Sequence, residues 1–310
     1  MSYLEFYGLR REPFSNVPDQ LFYWSGEQHK SALSRLTFAI EQRRGFCVVT
    51  GEIGTGKTML SRHLYDSLSE HRYYRALLVV IHSEVTAEWL LHRIAQLLGV
   101  RDPKQSKLEM LGQIYERLRV IDQEGRTVVF LIDEAQMLAT RELMEEFRGL
   151  LNIEVQDRKL VNFVFFGLPE VEECLRLDEP LRQRVALRLR LRHYSEDETR
   201  AYIYHRLNIA GGKSGVFAPD ALKRIAAHSG GVPRVINTIC DNLLLNGFLN
   251  KTRVLTPEMV DHAAQELSLG PSEPDPLADI LGYRTGTKPA GRAQEWKEVD
   301  LDKVLGFLDD

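Results

Sequence analysis

Eight consecutive residues, Gly51-Glu52-Ile53-Gly54-Thr55-Gly56-Lys57-Thr58, match the pattern GxxxxGK[ST] in full. Such a loop suits one kind of chemistry. Its glycines let backbone N–H groups turn inward around phosphate oxygens without side-chain clash. A helix opening at the end of the loop adds the positive end of its dipole. In that setting Lys57 reaches the β- and γ-phosphates of a nucleoside triphosphate, and the Thr58 hydroxyl binds Mg²⁺. The stretch from Gly51 through Thr58 to Met59 is the expected ATP site. Further along, Val128-Val129-Phe130-Leu131-Ile132 is an apolar run ending in Asp133 and Glu134. An acid at the carboxyl end of a strand faces the crevice in which open α/β sheets bind ligands. Asp133 is expected to hold Mg²⁺, usually through water. Glu134 is expected to orient and polarise the attacking water.

Both motifs need strands and helices to position them, and the apolar pattern supplies these. Phe46–Thr50 reads as a buried strand ahead of the loop, with a helix from about Thr58 to Leu68 after it. Further strands are expected at Ala76–His82, Thr127–Ile132, Val161–Phe166 and Val185–Leu191. Helices are expected at Glu27–Arg43, Thr86–Leu98, Lys107–Ile121 and Arg141–Leu151. Continuous apolar strands alternating with helices predict a parallel sheet covered on both faces. From Ser195 the period becomes purely helical. Ser195 and Glu198 form a capping-box start, and Pro257 follows Thr256 at another. Three more helices are expected at Pro219–His228, Val232–Leu249 and Pro257–Glu266. The predicted organisation is an N-terminal segment over 1–44, an α/β nucleotide-binding domain over 45–194 and a helical lid over 195–268. A Gly/Pro-rich linker over 269–294 follows, then an acidic amphipathic helix over 295–310.

Composition narrows the function classes. The chain has 310 residues, 44% of them hydrophobic and 27% charged, which fits a globular fold and excludes a mainly disordered or fibrous chain. The net charge of −4 resides in the last forty residues, so the body is electrically balanced and gives no global case for nucleic acid. Three scattered cysteines without CxxC spacing argue against a zinc site or a disulfide framework. The N-terminus has no basic region followed by an apolar one, and no apolar run approaches the roughly 18–20 residues of a membrane span. A cytoplasmic protein is expected, peripheral to the inner membrane only through a partner.

The phosphate loop, the Leu131-Ile132-Asp133-Glu134-Ala135-Gln136 block and the helical lid resemble an AAA+ ATPase. More specific blocks are Phe6-Tyr7-Gly8-Leu9, Pro13-Phe14, Gly167-Leu168-Pro169-Glu170 and Gly231-Val232-Pro233-Arg234. With these the chain resembles the ATPases of the general secretion pathway component A type over about residues 3–267. The resemblance implies a fold of α/β class, a P-loop NTPase parallel sheet of AAA+ type followed by a small all-α lid. It implies a nucleotide-dependent homo-oligomer in which Arg184, with Arg182, is the finger offered to a neighbour's nucleotide. Arg234 would be the lid sensor that contacts the γ-phosphate in cis. The implied work is assembly or remodelling of a secretion, pilus or envelope machinery.

Two departures qualify the resemblance. The family usually has Gln after Gly167, where a polar sensor meets the attacking water, whereas this chain has Leu168. The only polar side chain in that strand is Asn162, so hydrolysis is slow or sensing lies elsewhere. Long members also continue into a membrane helix and a cell-wall-binding domain, which the acidic tail does not match. Arg184, Arg188, Arg190 and Arg192 alternate with leucines, and period-two spacing puts them on one strand face. That strip leaves a DNA-binding regulator as the less favoured alternative, beside a nucleotide-controlled scaffold with slow turnover. The aromatics near Phe14 and Tyr23 either flank an adenine or belong to the core.

Overall fold

A computed structural model describes residues 2–82, 84–156, 158–212 and 215–267. The expected linker and C-terminal acidic helix lie outside these residues. The chain begins with α1 (Tyr3–Tyr7), capped by Ser2, and α2 (Glu27–Glu41). An alternating series follows: β1 (Phe46–Gly51), α3 (Lys57–Ser67), β2 (Tyr73–Val79), α4 (Ala87–Leu97), α5 (Lys107–Gln123), β3 (Thr127–Asp133) and α6 (Arg141–Leu150). A two-residue-per-strand hairpin, β4 (Glu154–Val155) with β5 (Arg158–Lys159), precedes β6 (Val161–Gly167). Two short helices, α7 (Val171–Arg176) and α8 (Glu179–Arg182), lead to β7 (Leu187–Leu191). The last described part is helical: α9 (Glu196–Ile209), α10 (Pro219–Ser229), α11 (Pro233–Leu249) and α12 (Pro257–Glu266).

The main sheet has the order β2-β3-β6-β1-β7, and every pairing in it is parallel. Parallel neighbours need crossover connections, and the intervening helices supply them on both faces. All residues of β1, β3 and β6 are buried, which is why their sequences read as unbroken apolar runs. Alternate side chains feed two cores. Phe46, Val48, Phe130, Phe163 and Phe165 pack with residues of α4, α5 and α6. Cys47, Val49, Val129, Leu131, Val164 and Phe166 pack with residues of α2 and α3. Because β6 separates β1 from β3, the strand bearing the phosphate loop and the strand bearing the two acids end on the same edge with β6 between them.

Several expected elements shift. The strand expected at 76–82 runs from Tyr73 to Val79, because it pairs with β3 from Tyr73↔Thr127 to Val79↔Asp133. Ile81, beyond the last pair, is exposed. The 4-residue helix α8 is held by Asp178, whose carboxylate accepts from the Leu181 N–H at 2.8 Å. The 1–44 segment divides between two layers. Helix α2 covers the sheet, but Tyr7, Leu9, Phe14 and Phe22 join the core formed by α9–α12. They do so because that helical layer has an apolar face the sheet does not cover.

Arg206 ties the N-terminal stretch to α9. Its guanidinium is buried, donates to the carbonyls of Pro13 and Ser15 and to the Tyr202 hydroxyl, and lies 4.9 Å from the Phe22 ring centre. A second staple joins α2 to the end of β7. Gln28 donates to the Arg192 carbonyl and accepts from its N–H, both at 3.1 Å. Replacing Arg206 by Ala strands two carbonyls, each costing about 1–3 kcal/mol when left unpaired in the interior, while the Tyr202 hydroxyl keeps its bond to Asn237. Urea unfolding of Arg206→Ala is expected to show a loss of about 3 kcal/mol relative to wild type.

Candidate active site

The eight-residue loop connects β1 to α3 as expected. Lys57 is the first residue of α3, and Gly56 before it takes φ 97°. The Lys57 ammonium is buried and donates to the carbonyls of Gly51 at 2.7 Å and Glu52 at 2.9 Å. Burial pushes its pKa down, while Glu134, Asp133 and Glu52 oppose the shift. The Thr55 hydroxyl is turned inward and donates to the Glu52 carbonyl at 2.8 Å. The Glu52 carboxylate points outward and lies 3.6 Å from Arg190.

At its tip the loop touches the helical layer. The Arg234 N–H approaches the Gly54 carbonyl at 3.4 Å. A Cβ at Gly54 would come within 2.9 Å of Arg234 Cβ and 3.0 Å of Val232 Cγ1. Gly54 also has φ 79°, so a side chain there is excluded by both conformation and space. Arg234, at the start of α11, is therefore positioned against the phosphate loop.

The two acids follow from the end of β3. Asp133 is almost fully buried, hydrogen-bonds the Thr58 hydroxyl, and accepts the Glu134 N–H at 3.1 Å. Burial pushes the Asp133 carboxyl up, and the Thr58 hydrogen bond pulls it back. Glu134 itself has φ 57° and ψ 39°. A left-handed non-glycine backbone costs on the order of 1 kcal/mol, and such strain concentrates at functional sites. Thr58 and Asp133 bring a hydroxyl and a carboxylate oxygen together. These are the hard oxygen donors that Mg²⁺ selects, so the residues present fit that ion.

A cleft of about 400 Å³ opens over this edge of the sheet. Ile53, Gly54, Gly56, Lys57, Thr58 and Met59 line it from the loop, and Glu134, Leu168 and Arg234 from the other sides. Gly51, Thr55 and Asp133 are buried behind that lining, while the Glu52 side chain faces outward. Of the aromatics left open by sequence, Phe14 is core, buried edge-on against Phe217. Tyr23 lines the cleft and stacks on His63, with ring centres 4.0 Å apart. Asn162 cannot serve as the missing sensor. It is buried at the opposite end of β6, where it accepts from the Gly45 N–H at 3.0 Å and sits near the Val128 carbonyl.

The arginines behave differently from the expected strip. Arg188 and Arg190 share the exposed face of β7, but Arg184 precedes the strand and turns to Asn152 and the Arg148 carbonyl. Arg188 pairs with Glu172, Arg192 with Glu198 and Arg182 with Glu179. Within a protomer these pairings leave little uncompensated positive charge to meet a phosphate backbone. Among the described residues lining the cleft, neither Arg182 nor Arg184 occurs.

Two further residues reach this cleft whose roles the sequence alone does not assign. His29 lies beneath the loop, where a Cβ at Gly56 would come 3.3 Å from its Nε2. Its Nδ1 is buried without a hydrogen-bond partner. Gln136 sits beside Glu134, and the only signal for it was its place in the Asp133–Gln136 block.

Comparison with known proteins agrees with this geometry. Residues 40–175 match the AAA domain family. The chain is 34% identical over 269 residues to general secretion pathway protein A of Aeromonas hydrophila, an alignment covering 86% of this chain and 48% of that protein. The chain thus spans about half the length of that curated relative. In structure it is similar to the ORC2 protein of Aeropyrum pernix, with a TM-score of 0.62 at 16% identity over 83% of this chain and 71% of that one. It is similar to Cdc6p of Pyrobaculum aerophilum, with a TM-score of 0.61 at 20% identity over 87% and 75%. Fold and site define an AAA+ nucleotide-binding protein. Within that class the chain belongs to the family of general secretion pathway component A ATPases.

Lys57→Ala removes the buried cation that faces both acids. Loss of one such donor from a preorganised site costs about 10²–10³ in rate. Steady-state phosphate release from ATP is expected to fall by about 10²-fold or more in this variant. His29 yields a pH prediction. Burial pushes its pKa from 6.5 down to about 4. The unfolded chain therefore takes up this proton first, and the associated stability is present above pH 6.5 and lost as pH falls towards 4. The shift corresponds to about 3 kcal/mol. The part of the acid-side fall in thermal midpoint due to His29 is expected to vanish in His29→Phe.

Proposed function

We propose that this protein binds and hydrolyses ATP with Mg²⁺, and uses the cycle to assemble or remodel an envelope-associated secretion machinery from the cytoplasm. The observation that carries this reading is the convergence of Lys57, Thr58, Asp133, Glu134 and Arg234 on one edge of the sheet. Lys57 exchanges its two backbone carbonyls for phosphate oxygens and neutralises their charge. Thr58 and Asp133 would hold a magnesium ion, which when bound would offset negative charge on the phosphate oxygens. Glu134 orients a water towards the γ-phosphorus. The new bond forms from that water oxygen as the bond to the β-phosphate oxygen breaks, giving ADP and phosphate. Arg234, being on α11, reports the state of the γ-phosphate to the helical layer.

Arg184, with Arg182, is proposed to act on the nucleotide of a neighbouring copy, which makes the working unit a homo-oligomer. To do so Arg184 must release both Asn152 and the Arg148 carbonyl. The secretion role rests on the likeness to general secretion pathway protein A. Among the described residues no helix is long and apolar enough to cross a membrane, so attachment to an envelope would run through a partner or a segment outside them.

Glu134→Gln keeps the shape of the side chain and removes its charge. ATP binding is expected to persist while phosphate release falls about 10²–10⁴-fold, the range typical of a general base. The variant should also retain ATP-dependent oligomers by light scattering. Hydrolysis at the wild-type rate would remove Glu134 from the proposed role.

A further inference from the structure

The polar side chain missing at position 168 has a counterpart on a different element. The turn after β3, Ala135–Met137, is a single 3-10 turn that follows the strained Glu134. Within it Gln136 points into the cleft beside Glu134 and Leu168. Its Nε2 donates to Glu134 Oε2 at 2.6 Å. Its Oε1 accepts the Leu168 N–H at 3.0 Å. One amide thus joins the carboxylate at the end of β3 to the backbone just past the end of β6.

The surroundings fix that amide. A Cβ at Gly167 would come within 2.6 Å of Gln136 Oε1 and 2.5 Å of Val171 Cγ2. Only glycine leaves room there for the Gln136 head group. The Cys174 thiol, on α7, reaches the Gln136 carbonyl at 3.6 Å and holds the turn from the other side. The orientation of the two ends is also determined. The Leu168 N–H can only donate, so the amide oxygen must face it and the amide nitrogen must face Glu134.

Resting on the reading of Glu134 given above, we propose that Gln136 is a positioning residue. It holds the Glu134 carboxylate in the orientation that meets the attacking water, and it couples that orientation to the end of β6. A polar side chain at 168 would approach the water directly. Here the backbone of 168 acts instead, through Gln136. The chain with Leu168 therefore keeps a defined water-orienting carboxylate rather than a disabled site.

The test is steady-state phosphate release by the full chain, with ATP affinity followed separately by a fluorescent ATP analogue. Gln136→Met keeps the volume of the side chain and removes both hydrogen bonds. Gln136→Glu keeps the acceptor for the Leu168 N–H but loses the donor to Glu134. In both variants kcat is expected to fall about tenfold or more, the range seen when orienting partners are removed, with KM and analogue affinity within about threefold of wild type. A merely structural lock on the turn would survive in Gln136→Glu, so wild-type kcat in that variant overturns the proposal. So does a loss confined to KM. Should Gln136→Met fail to fold, Gln136→Glu carries the same decision. Wild-type protein that releases no phosphate would instead remove the role of Glu134, whereas wild-type turnover with an unaffected Gln136→Glu removes only that of Gln136.

Discussion

Burying an ammonium beside two carboxylates is the constraint on which this structure depends. Lys57 and Asp133 are both withdrawn from water, and each alone would be costly to place there. They are tolerated because each meets partners that cannot move away. Lys57 has the two carbonyls of its own loop, and Asp133 has a hydroxyl and a backbone N–H. Those partners come from the ends of the buried strands β1 and β3, from the loop between β1 and α3, and from the first turn of α3. The glycine turn, the αL backbone of Glu134 and the insertion of β6 between β1 and β3 all follow from bringing these charges to one edge.

Much of this was legible in the chain of residues, and for identifiable reasons. The three central strands are buried on both faces, so their runs are almost wholly apolar, with Asn162 the polar side chain inside β6. The loop at 51–58 must use glycine where the backbone turns inward, and a lysine where charge is needed. Helices α9 and α12 carry their own start signals in Ser195 and Pro257. The edge elements were harder. Strand β2 was placed three residues late because its start, Tyr73-Tyr74-Arg75, is only partly apolar, and pairing with β3 rather than hydrophobicity sets its limits. Helices α7 and α8 are too short to show a period, and they exist because the sheet edge and α6 offer them a surface.

Outside the phosphate loop, the site was legible in its acids and illegible in its neutral members. Acids and lysines at strand ends carry a meaning from position alone. Gln136 acquires one only when β6 is seen to end beside it. The hydrogen bond from the Leu168 N–H to Gln136 was hidden for the same reason: a backbone N–H leaves no trace in a sequence. Likewise the strip of arginines read as free charge because their partners, Glu172 and Glu198, come from other elements.

The chain passes between the sheet and the helical layer at two places, residues 23–26 and 192–195, and Gln28 clasps the second crossing to the first. The two covalent crossings are thereby bound side by side at one edge of the interface between the layers. Arg234 and Gly54 meet close to the second crossing, because the Tyr194 N–H donates to the Gly231 carbonyl at 2.8 Å, three residues before Arg234, so the phosphate loop, the crossing and the start of α11 share one joint.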